Sequence, residues 1–109
     1  MWRGRRRRLS SHEFYAIRKV SIMRILARPI EVISYTDNNG DIRPLRFRLQ
    51  VDDEPLKVIK VDKVIIKETE KLAGNTMLIF KCQSFIDNVE KLFELRYEIK
   101  TCKWVLFKI

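Results

Sequence analysis

Few residues in this chain are of a type and spacing that could do chemistry. His12 is the only histidine, so a metal cluster or proton relay built on two imidazoles is impossible, and a Ser/His/Asp set would have to recruit a residue outside the body of the domain. It reads instead as a solvated histidine near a helix start. Asp52, Asp53 and Glu54 offer the oxygen ligands a hard cation takes, but no further acids follow at loop spacing, so the trio reads as a solvated turn. Cys82 and Cys102 have neither C-x-x-C spacing nor a nearby histidine. They read as two reduced, mostly buried small hydrophobes, which favours a reducing, cytoplasmic compartment. Gly4, Gly40 and Gly74 stand alone, so there is no glycine-rich phosphate loop. The chain therefore reads as having no catalytic residue, metal or cofactor, and as a binding or accessory module rather than an enzyme. No small-molecule ligand is indicated.

What remains is charge. The formal net charge is +9, but residues 1–29 hold nine basic side chains against the single acid Glu13 and carry +8 of it. The rest of the chain is close to neutral, so attraction for polyanions concentrates at the N-terminus. Its core is the run MWRGRRRRL, with Arg3, Arg5, Arg6, Arg7 and Arg8. Such a run can neutralise several phosphates without reading sequence. An Arg-rich, acid-poor start also fits an organelle-targeting leader, Trp2 beside the basic segment fits an anchor on anionic lipid, and translated upstream sequence with no role fits as well. The nucleic-acid arm and the dispensable tail rank ahead of the other two.

The positioning elements are strands. At 109 residues the chain suits one domain, here 10–109 behind a basic tail at 1–9, and its apolar runs fall far short of the roughly 20 residues of a membrane span. Alternation and turn residues predict six strands over 30–36, 42–51, 56–69, 76–85, 89–99 and 103–109. Asn39-Gly40 is the strongest turn signal, since a tight hairpin needs positive φ. Leu45, Phe47, Leu49 and Val51 share one face and Arg46 and Arg48 the other. In the third strand the alternation slips over Lys60 to Lys63, as at a bulge. Ahead of the strands, Ser10 followed by Glu13 is a capping-box pattern and Pro29 a stop. These favour a short helix within 11–27, competing there with strand-like alternation, followed by a strand running into Ile30 to Tyr35; the basic arm ahead of it is read as disordered or helical.

Short links between six strands favour an antiparallel meander, and curling it into a small barrel removes the unpaired edges. Such barrels stack bases on exposed aromatics beside a basic groove, and Tyr35, Phe47 and Tyr97 with Arg46, Arg48 and Arg96 are candidate parts. By strand parity the three aromatics belong instead to the core or its edge. In the last strand Trp104 shares parity with Leu106 while Val105, Phe107 and Ile109 take the other face, so both faces are apolar. That strand is either central or offers Trp104, Val105 and Phe107 to a partner, a second copy in a homodimer being one.

The hairpin IEVISYTDNNGDIRPLRFRL, with a tyrosine before the turn and a proline after it, resembles the opening hairpin of WYL-type domains, small Sm-like or SH3-like barrels of bacterial regulators. The Trp-Tyr-Leu signature of that family is absent. The resemblance implies an all-β, SH3- or Sm-like barrel and transfers no functional residue. The sequence thus predicts a small β-barrel binding module with RNA or DNA as its first partner. A protein-interaction or self-associating domain using the last strand is the alternative.

Overall fold

The computed structural model describes residues 25–50 and 55–109. The expected helix lies outside them except for Ile25 to Ala27, which are strand. The described residues form seven strands and no helix: β1 (Ile25–Thr36), β2 (Ile42–Leu49), β3 (Lys57–Lys60), β4 (Lys63–Leu72), β5 (Asn75–Ile86), β6 (Val89–Glu98) and β7 (Lys103–Lys108). All pairings are antiparallel, in the order β3-β2-β1-β7-β6-β5-β4, and the sheet curls into a half-barrel. None of the described helices is long and apolar enough to cross a membrane, since there are none.

Two long segments bend the sheet. β1 pairs with β7 over Ile25–Ile30 and with β2 over Glu31–Thr36, so it passes from one half of the sheet to the other. A register shift between Ile25 and Arg28, with Ala27 at φ 48°, marks a bulge in its first half. Pro29 is tolerated because only its β7 side is paired there. The second bent segment is the run predicted as one strand over 56–69. It is two strands, β3 on β2 and β4 on β5, broken at Val61-Asp62 where the alternation slips. That break accounts for seven strands instead of six, and β1 starts earlier than expected, at Ile25.

The corner at Val61-Asp62 is held from both sides. The Val61 amide donates to the Leu45 carbonyl of β2 at 2.9 Å. From β5, the Phe85 amide donates to Asp62 Oδ2 at 2.9 Å, and the buried Ser84 hydroxyl joins the Asp62 amide to the Lys60 carbonyl. Backbone groups left by the break therefore have partners, as buried polar groups require.

The core lies in the concavity. Phe47, Leu49 and Ile59 face Phe80, Cys82, Phe93, Leu95, Trp104 and Leu106, so each half of the sheet covers the other. Phe47 meets Phe93 with ring centroids 5.5 Å apart, and Trp104 lies between Phe80 at 5.4 Å and Tyr97 at 4.8 Å, tilted geometries favourable to aromatic pairs.

The turns differ from the simple two-residue expectation at one place. Between β1 and β2 only Gly40 has positive φ, at 88°, and its amide bonds the Asp37 carbonyl at 3.0 Å. This is a three-residue loop, a type I turn followed by a left-handed glycine, and Asp37 Oδ1 fixes it by accepting from the Asn39 and Asp41 amides. Two-residue turns with positive φ at both positions occur instead at Ala73-Gly74 and Asp87-Asn88.

Candidate nucleic-acid interface

The convex face of β1, β2 and β3 carries a row of cations. Cross-strand registry sets Tyr35 beside Arg43, Ile33 beside Arg46 beside Lys60, and Glu31 beside Arg48 beside Val58. Arg43 shares this face with Arg46 because Leu45 is bulged: the register shift between Ile33 and Ser34 lets Pro44, not Leu45, point inward. Leu45 is thereby partly exposed, which corrects its expected place on the core face with Phe47 and Leu49.

Charge on this face is unbalanced. Arg48 pairs with Glu31, both half or more exposed. Among the described residues no carboxylate bridges Arg43, Arg46 or Lys60, all exposed. Tyr35 is 50% exposed, so it is not a core residue, and the Arg43 guanidinium lies over its ring 5.1 Å from the centroid. Below the Glu31–Arg48 pair, where β1 changes partner, opens a cleft of about 360 Å³ lined by Arg28, Glu31, Arg48, Leu49 and Leu56 among others. Arg28 Nη1 donates to the Gln50 carbonyl at its rim, at 2.9 Å.

Other expected site residues sit elsewhere. Arg96 leaves the set: it bonds Glu94 at 2.7 Å, reaches Glu70 at 3.7 Å and stacks on Phe107 at 3.6 Å, its side chain 20% exposed. Its charge is neutralised on the far half of the sheet, where Lys81 and Glu68 make a further pair at 3.5 Å. Phe47 is core, and Tyr97 packs half-buried on Trp104. Trp104 is itself in the core, so it is not part of an outward surface; Val105 and Phe107 do face outward, half-buried, Phe107 beneath Arg96. β7 is hydrogen-bonded to β1 on one side and β6 on the other and offers no free edge. Arg3, Arg5, Arg6, Arg7, Arg8 and His12, and the acidic Asp52, Asp53 and Glu54, lie outside the described residues.

The thiols divide. Burial pushes Cys82 up to about 12, which keeps it protonated and unreactive. Cys102 is exposed in the β6–β7 turn at φ 60°, contrary to its expected burial. Among the described residues no cluster of His, Cys, Asp or Glu could hold a metal ion.

No family model matches the chain, and neither a curated protein nor a solved structure does. The resemblance to WYL-type domains accordingly rests on the one hairpin.

Proposed function

We propose that this chain is a non-enzymatic binding module that contacts nucleic acid through the convex face of β1, β2 and β3, with the Arg-rich segment Met1–Leu9 adding sequence-independent phosphate contacts. The observation that carries the reading is the set Arg43, Arg46 and Lys60, adjacent in the sheet and without a bridging carboxylate among the described residues. Unpaired surface cations on a rigid sheet are pre-placed for phosphates, and released counterions then favour binding. On the far half of the sheet Lys81 and Arg96 are instead bridged by Glu68, Glu70 and Glu94. We read the half-barrel as the small SH3- or Sm-like type, since counting Lys57–Leu72 as one bent strand turns the strand order into a ring of six.

The test is a salt titration of full-length protein with labelled single-stranded and duplex oligonucleotides. Changing Arg46 and Lys60 together to Glu should lower affinity at least tenfold at low salt and shallow the logarithmic salt slope by about 1.4, two phosphates at 0.7 each for a single strand. Changing Arg3 and Arg5 to Arg8 to Gln should shallow it further. Absence of binding to every oligonucleotide at low salt ends the reading.

A further inference from the structure

The same face carries an inference about the form of the nucleic acid and its path, which rests on the reading above. The three β2 arginines lie in consecutive outward rows: Arg43, then Arg46 after the Leu45 bulge, then Arg48. Outward positions recur every second paired residue, so neighbouring guanidinium stems are set about 6.7 Å apart along the strand. Successive phosphates along one nucleic-acid backbone have a comparable separation, and only a strand with unpaired bases can also lay one on an aromatic ring beside that line. At one end of the line stands a half-exposed aromatic ring, Tyr35, where β1 pairs only with β2 and the hairpin projects past β7. At the other end opens the cleft beside Arg48 and Glu31.

We propose that the ligand is a single-stranded nucleic acid whose backbone runs along β2 from Arg43 through Arg46 to Arg48, with one base stacked on Tyr35 and the strand leaving toward the cleft at Arg28. Lys60, level with Arg46 on the neighbouring strand, doubles the positive charge at the middle phosphate. Arg43 already lies over the tyrosine ring, so a base that replaces it there frees the guanidinium for the first phosphate. Glu31 pairs with Arg48 and has to yield it to a phosphate, so Glu31 is a built-in brake on affinity. Stacking is indifferent to base identity, and the site selects strandedness rather than sequence.

The test uses full-length protein, a fluorescein-labelled dT oligonucleotide of about twelve residues and a duplex of the same length, followed by anisotropy. Wild type should prefer the single strand. Tyr35→Leu should weaken single-strand binding at least about fivefold with an unchanged salt slope, and Tyr35→Phe should retain it. Glu31→Gln should tighten binding and steepen the slope by about 0.7 as Arg48 is released. Equal affinity for duplex, or wild-type affinity in Tyr35→Leu, overturns the single-strand path while leaving a general phosphate-binding face intact. A weakened Tyr35→Phe variant overturns the stacking role, since the ring is kept.

Discussion

The Ser84 hydroxyl accepts a hydrogen bond from the Asp62 amide at 3.0 Å and donates one to the Lys60 carbonyl at 2.6 Å, so a single β5 side chain completes the backbone bonding of the β3–β4 corner. Asp62 answers by accepting from the Phe85 amide through its side chain. The two residues clamp the place where the bent segment leaves one half of the sheet for the other.

Ser84→Ala should therefore destabilise the protein by about 1 to 2 kcal/mol, because it removes a buried hydroxyl and takes one partner each from the part-buried Asp62 amide and Lys60 carbonyl. Urea unfolding followed by tryptophan fluorescence measures it. A loss within the few tenths expected of an exposed serine would mean that the corner does not need the clamp.

The turns predict changes of opposite sign. Around Gly40 a Cβ would meet nothing within 4 Å, so Gly40→Val acts through backbone conformation alone and should cost about 1 to 3 kcal/mol. Ala73 already sits at φ 51° with a β-carbon, so Ala73→Gly should stabilise by about 0.5 kcal/mol. Thermal melts of the two variants should move in opposite directions.

Glu98 ties two turns together: its carboxylate accepts from Thr101 in the β6–β7 turn and, at 2.8 Å, from Asn75 at the start of β5. Those hydrogen bonds hold its carboxyl below the usual value of 4.5. Because the folded value is the lower one, the stabilisation is complete above 4.5 and drains away as the pH falls through the folded value. Asp87, held low by the Lys57 ammonium at 2.8 Å, acts in the same direction. Melting temperature plotted against pH should drop on the acid side, and Glu98→Gln should flatten part of that drop.

Trp104→Ala should cost about 3 to 5 kcal/mol, as expected for deleting a buried ring packed on Phe80 and Tyr97. Phe107→Ala should cost clearly less, its ring being half-buried beneath Arg96 on the convex side. Denaturant midpoints separate the two; equal losses would contradict the assignment of faces in β7.

Strand identity was readable wherever turn chemistry and period-two alternation agreed, as in β2, β5, β6 and β7. Even the break at Val61-Asp62 left its mark as a slip of parity. Pairing between distant strands leaves no such mark: nothing local in Ile25–Ile30 announces β7 as its partner, and the strand-like alternation up to Ala27 competes with a capping box at Ser10 and a stop at Pro29 that also allow a helix. The site divided in the same way. Parity placed Arg46 and Arg48 outward, but the bulge at Leu45 shifted the count for Arg43, and Lys60 joined them only through β2–β3 registry. Arg96 looked equivalent until Glu70, from another strand, came within reach of it.

The pairing of β1 with β7 also sets a timetable. β7 is the last of the seven strands to be synthesised, so on the ribosome the first strand waits without its neighbour while β4 to β6 can already form local hairpins. Closing the long loop between β1 and β7 comes late, because its entropic cost precedes any reward from the contacts it makes. Until that moment the β7-facing edge of β1 along Ile25–Ile30 lacks its partner and is open to pairing with other chains.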